Sequence, residues 1–157
     1  MAIYLNIDSI KGSATDAKFK EQIELGSFQW GAGLGVGSAR GGDRTTSEPS
    51  VSEITGTKQL DKSSEGLFKA LLKGDPVGKA TISFTAASKG EAVAYATLEL
   101  EDVIVAGYSQ SADGSALPNE SLTLNFAKFV STFSGRDGKQ VSKPVRLTYD
   151  LAENKVG

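Results

Sequence analysis

Most of this chain alternates with period two. Ile3, Leu5 and Ile7 alternate with Tyr4, Asn6 and Asp8, which predicts a strand with one apolar face, and Gly12 to Asp16 turns the chain after it. A second strand is predicted over about Phe19 to Trp30. Its apolar positions, Ile23 and Leu25 early and Phe28 and Trp30 late, change phase, so burying all four requires a bulge near Gly26. Lys79 to Thr85 sets Ala80, Ile82 and Phe84 against Thr81, Ser83 and Thr85, and Ser88-Lys89-Gly90-Glu91 returns the chain as a hairpin. The return strand, Val93 to Tyr108, shifts phase between Leu98/Leu100 and Val103/Val105, implying a second bulge near Glu101-Asp102. After a turn at Ala112 to Ser115, Leu122, Leu124 and Phe126 face inward and Ser121, Thr123 and Asn125 outward. A loop at Arg136 to Lys139 then leads to a last strand, Val145 to Leu151.

A helical period appears once, over about Ser64 to Lys73, directly after a strand that begins near Pro49. Leu67, Phe68, Leu71 and Leu72 share one face, which predicts burial of that face against a sheet. Ser64 is expected to cap the first turn, Glu65 puts a negative charge there, and Gly74 supplies the left-handed stop. Gly66 costs roughly 1 kcal/mol against alanine in that turn. The pattern describes a mainly β fold carrying one packed helix.

Gly31 to Ser50 is rich in glycine and nearly free of bulky side chains, and it reads as a long loop. A phosphate cradle is disfavoured, because no helix follows and neither Gly-Lys-Ser/Thr nor a ribose-binding acid sits at the required spacing. A loop of this length in a compact domain suits contact with a partner. Trp30, at its start, fits a core position better than a stacking platform, since its neighbours alternate as a half-buried strand does.

The 157 residues suit a single domain, 1–157, able to fold without metal or disulfide staples. The net charge of −2, with no basic cluster interleaved with aromatics, disfavours nucleic acid. No apolar run approaches the ~18 residues of a membrane span, and the alternating start does not read as a signal peptide, so synthesis in the cytoplasm is expected. With no His and no Cys, an imidazole base, a thiol nucleophile and a Ser-His-Asp triad are excluded, and no metal or cofactor site is expected. Carboxylates remain: Glu99, Glu101 and Asp102 on one strand and Glu53 on another could converge as acid and base, but nothing in the sequence pairs them, and acids on a wet strand face are what solubility requires. The faces Thr81/Ser83/Thr85 and Ser121/Thr123/Asn125 lack the Lys and Glu that cover exposed sheets, which suits a neighbouring subunit or a wide wet channel.

Several segments together resemble one family. They are Met1-Ala2-Ile3-Tyr4 with Ile10-Lys11-Gly12, Ile23-Glu24-Leu25 with Ser27-Phe28 and Trp30-Gly31, and Pro49-Ser50 with Ser52-Glu53-Ile54. Thr57-Lys58, Asp61-Lys62-Ser63-Ser64, Glu120-Ser121-Leu122 with Leu124-Asn125-Phe126, and Tyr149-Asp150-Leu151 with Asn154-Lys155 complete the set. In this order they resemble Hcp, the haemolysin co-regulated protein of bacterial type VI secretion systems. The resemblance implies a compact antiparallel β-barrel of two packed sheets with one helix against it, and a structural rather than enzymatic role. It further implies homohexameric rings that stack into a secreted tube, partnered by sheath, spike and effector proteins, without a signal peptide. By the same resemblance Gln29 faces the channel, and Gly35, Gly37, Arg40, Asp43 and Arg44 lie in a loop available for ring or subunit contacts. Gly56 and Glu65 depart from the family pattern, which often has a β-branched residue and a proline there. The competing reading is a monomeric β-barrel binding a ligand or carbohydrate through Trp30 and the glycine loop.

Overall fold

The computed structural model describes residues 1–37, 44–135 and 143–157. Strands β1 (Ala2–Ile7), β2 (Ile23–Leu25), β3 (Ser27–Gln29), β4 (Ala32–Gly33), β5 (Ser50–Val51) and β6 (Ile54–Gln59) precede helix α1 (Ser64–Lys73). After the helix come β7 (Gly78–Ser88), β8 (Glu91–Ser111), β9 (Asn119–Asn125), β10 (Lys128–Phe133), β11 (Val145–Asp150) and β12 (Lys155–Val156). Pairing is antiparallel throughout. One sheet, A, runs β12-β11-β10-β8-β7-β1-β2, and a second, B, runs β3-β6-β9-β8.

Strand β8 belongs to both sheets because its 21 residues are bent where the sequence changes phase. Between Gly78/Val103 and Ala80/Leu100 the register slips, and Asp102 takes φ 51°, so the expected bulge at Glu101-Asp102 is present. It brings Leu98, Leu100, Val103 and Val105 all into the core, each 2% exposed or less. At Gly26 the chain does something different from the expected bulge. It leaves sheet A after Leu25 and joins sheet B at Ser27, with Gly26 N–H bonding to Thr57 O at 2.7 Å. The expected strand from Phe19 is also shorter than predicted: Phe19 lies in a turn and stacks on Tyr4, centroids 4.6 Å apart, so β1 is buried on both faces. The two sheets enclose one main core but do not close into a barrel; β10, β11 and β12 extend sheet A past sheet B.

The helix has the predicted bounds and the predicted left-handed stop, Gly74 at φ 69°. Ser64 is not its cap. Ser63 occupies that position without a capping side-chain bond, its hydroxyl donating to Asp61 Oδ1 instead, while the Ser64 hydroxyl is buried in a polar cluster under the first turn. Of the predicted apolar face only Leu67 is fully buried and Leu71 half-buried; Phe68 is 43% and Leu72 71% exposed. Phe68 stacks on Tyr108 of β8, ring centroids 5.1 Å apart, and Leu72 is left open to solvent. Gly66 permits a close approach: a Cβ there would stand 3.1 Å from Ile10 Cγ2. The face Thr81/Ser83/Thr85 is also not the open surface expected. Ser83 and Thr85 are buried, Ser83 between Tyr4 and Thr97 in the ladder, and the Thr85 hydroxyl donates to Ala2 O at 3.0 Å.

Candidate functional site

The outward face of sheet B is the most distinctive surface. Its register places Ser27, Thr57, Ser121 and Ser109 in one row across the four strands. Gln29, Thr55, Thr123 and Gly107 form the next, and Gln59, Asn119 and Ser111 a third. Every side chain in these rows is a hydroxyl or an amide, or is absent; none is charged or bulky. Ser27 and Thr57 hydroxyls bond to each other at 2.6 Å across the first row. Gly107 makes the second row flush, since a Cβ there would meet Thr123 Oγ1 at 2.9 Å. Gln29 lies on this face and is exposed, in line with its expected phase. Ser121, Thr123 and Asn125 also point outward as expected.

The row pattern continues beyond the sheet. From Ser27 on, odd positions carry Ser27, Gln29, Gly31, Gly33, Gly35 and Gly37, and even positions carry Phe28, Trp30, Ala32, Leu34 and Val36. This stretch is a ribbon and not the expected structureless loop. Strand β4 pairs with β5, Val36 bridges to Thr46, and Gly37 N–H bonds to Thr45 O at 2.7 Å. Opposite the glycines stand Ser52, Ser50, Ser47 and Thr45, with Gly31 N–H on Ser52 Oγ at 2.8 Å and Gly35 N–H on Ser47 Oγ at 3.0 Å. The arm therefore has a glycine–hydroxyl side and an apolar side whose Leu34 and Val36 are about half exposed, 50% and 49%. Gly35, Gly37 and Arg44 lie on this arm; Arg40 and Asp43 lie outside the described residues, as does the loop at Arg136 to Lys139.

Behind sheet B lies a group that the sequence reading did not single out as a site. Lys58 and Glu120, directly opposite in the β6–β9 ladder, point inward with both side chains fully buried and Nζ 2.5 Å from Oε1. Lys58 also meets Asp61 Oδ1 at 2.9 Å. Glu120 accepts from Ser64 Oγ at 2.9 Å, from Tyr108 OH at 2.6 Å and from Gln110 Nε2 at 2.8 Å. Burial alone would push the Glu120 carboxyl up, but these donors more than offset it and hold it below the usual carboxylate range. Burial and the adjoining carboxylate push the Tyr108 phenol up to about 12, so it stays a donor. The signal for this cluster was present in the sequence: Lys58 falls in the apolar phase with Ile54, and Glu120 in that of Leu122 and Leu124.

The other sequence candidates are not brought together. Glu99 and Glu101 lie on the outer side of sheet A, with Glu101 facing Lys79 at 3.9 Å, Asp102 occupies the bulge, and Glu53 sits at the root of the arm. Trp30 is packed as a core residue, edge-on to Phe129 at 4.8 Å and tilted against Phe28 and Phe126. An open hollow at the arm's root is lined by Gln29, Gly31, Ser50, Ser52 and Thr55 together with Trp30 and the carboxylate of Glu53. Among the described residues no cluster of three metal-ligating side chains occurs, and no helix is long and apolar enough to cross a membrane.

The family model described as "Type VI secretion system effector, Hcp" matches residues 4–133. Protein hcp1 of Pseudomonas aeruginosa is 25% identical over 155 residues, spanning 97% of this chain and 96% of that protein. Among solved structures, one titled as a type six secretion system protein superposes with a TM-score of 0.88 at 25% identity, covering 99% of both chains. Hcp1 from Salmonella typhimurium gives 0.79 at 26% identity, covering 99% and 98%. The chain thus belongs to the Hcp family of type VI secretion proteins.

Proposed function

We propose that this protein is the inner-tube subunit of a type VI secretion system, the whole chain 1–157 acting as one tube domain. Six copies close into a ring with the hydroxyl face of sheet B, Gln29 included, toward a central channel. Rings stack into a tube, with the arm that carries Gly35, Gly37 and Arg44 at the contacts between copies. The protein is secreted alongside sheath and spike components, with effector proteins held in the channel. Its role is structural and needs neither catalysis nor a cofactor.

The observation that carries this reading is the uninterrupted neutral face of sheet B. An exposed sheet normally carries Lys and Glu for solubility and to block pairing at its edges. A surface of short hydroxyls and amides offers donors and acceptors without a fixed charge to repel cargo or an apolar patch to trap it. Among the described residues both edges of sheet B, β3 and the end of β8, are unpaired, which suits lateral joining of copies into a continuous wall.

Light scattering after size exclusion, with negative-stain images of the same peak, tests the reading. A particle of six times the 16.4 kDa chain with ring-shaped images is expected. A monomer over a wide concentration range would refute it.

A further inference from the structure

We infer that the buried Lys58–Glu120 pair is a register key: it fixes which residues of β6 and β9 stand opposite one another, and so fixes the alignment of the two edges of sheet B. The need for a key follows from the strands themselves. On the outward face β6 presents Thr55, Thr57 and Gln59, and β9 presents Asn119, Ser121, Thr123 and Asn125. These groups are chemically interchangeable, so sliding one strand by two residues costs that face little. A polar face of this kind does little to specify register, so that task falls to the buried face.

The inward face supplies little more. Its native pairs are Ile54 with Leu124, Gly56 with Leu122 and Lys58 with Glu120. Gly56 has no side chain to match, and two leucines in sequence on β9 would replace one another after a slip of two. Only the third pair changes character. Sliding in one direction sets Lys58 against Leu122, and sliding in the other sets Glu120 against Gly56; Lys58 keeps Asp61, which moves with it, but either slip leaves the Glu120 carboxylate buried without its ammonium partner, which is strongly destabilising. The carboxylate is bonded to Tyr108 and Gln110 of β8 and Ser64 of α1 as well, so one residue locks three strands and the helix in a single alignment.

An ion pair out of water contributes less net stability than a well-packed apolar pair would, and a role in register accounts for its presence where the visible face must stay neutral. A slip of two residues would move β3 and β6 by about 7 Å along the sheet relative to β9 and β8. On the tube-subunit reading proposed above, that displacement would misalign the two edges at which neighbouring copies meet.

The chain has no cysteine, so introduced pairs report register without background. T57C/S121C joins residues directly opposite. T57C/T123C and T57C/N119C join residues two positions out of register, roughly 7–8 Å apart and beyond the reach of a disulfide. In the otherwise unchanged chain, oxidation is expected to favour the first cross-link by more than about tenfold over the others. In K58M/E120L, one slipped cross-link is expected to rise to within about threefold of the native one. E120Q, which keeps the side-chain shape and removes the charge, is read in the same way and decides the matter should the double variant not fold. Native-only cross-linking in K58M/E120L, or in E120Q where that variant alone folds, overturns the register key. Because the bond forms within one chain, this result is independent of whether copies assemble, while the mass of the unmodified protein tests the ring alone.

Discussion

Glu120 concentrates the polar chemistry of the fold in one side chain. Its carboxylate is held below the ordinary range by the donors around it, so the folded state binds its proton less readily than the unfolded chain, whose glutamates titrate near ~4.3. That stability is complete above the unfolded value and is lost as pH falls through the folded one. Tyr108 works in the other direction. With its phenol pushed up from 10.0 to about 12, its contribution is complete below 10 and is lost as pH rises toward 12. Y108F removes the donor on Glu120 Oε2 while retaining the stacking on Phe68, and is expected to cost about 1–2 kcal/mol near neutrality. Melting curves at a series of pH values should show the gap between Y108F and the unmodified protein narrowing from pH 10 to 12. A gap that stays constant across that range would mean the hydroxyl bond contributes nothing.

At the scale of elements, the arm and the sheet switch matter most. Residues 31–37 and 44–52 form a ribbon whose backbone is held by its own cross-strand bonds and whose side chains stand largely outside the core. Deleting Gly35 to Asp43 should therefore leave the melting temperature within a few degrees of the parent, since surface changes away from packed groups are usually worth less than about 0.5 kcal/mol. Ring-on-ring stacking should weaken, as read by the length of tubes in electron micrographs; tubes of unchanged length would remove the arm from that role. The arm shows why legibility was uneven. Strands that alternate a large apolar residue with a polar one, such as β1, the β7–β8 hairpin and β9, were readable, as was the phase change at Glu101-Asp102. In the arm the same period was carried by glycine against Ala32, Leu34 and Val36, which propensity reads as loop. At Gly26 the phase change was visible, but a bulge and a change of sheet leave the same trace in one dimension. The helix face misled for a related reason: period fixes which residues share a side, while how much of that side is covered, as the exposure of Phe68 and Leu72 shows, depends on what lies beneath.

For the whole molecule, the neutral face of sheet B, drawn from β3, β6, β9 and the end of β8, invites a test at Gln29. Its phase was readable from the alternation around Phe28 and Trp30; the register that groups it with Thr55, Thr123 and Gly107 was not, because pairing joins segments far apart in sequence. Gln29 is the longest side chain in that row and is exposed, so it would reach furthest into a channel. In the proposed ring, Q29R would set one cation per subunit around the channel, close enough to reinforce one another's field on anything passing within a Debye length, about 8–10 Å. The subunit itself should be indifferent, because the side chain is exposed on the outward face and the exchange leaves the backbone hydrogen-bonding groups of edge strand β3 unchanged. Light scattering should therefore return the same particle mass for Q29R as for the parent, while effector proteins co-purifying with the ring should drop severalfold, more so at low salt. Q29A, which shortens the side chain without adding charge, should retain most of them. Q29R rings that hold effectors as well as the parent at low salt would place the cargo surface somewhere other than this face.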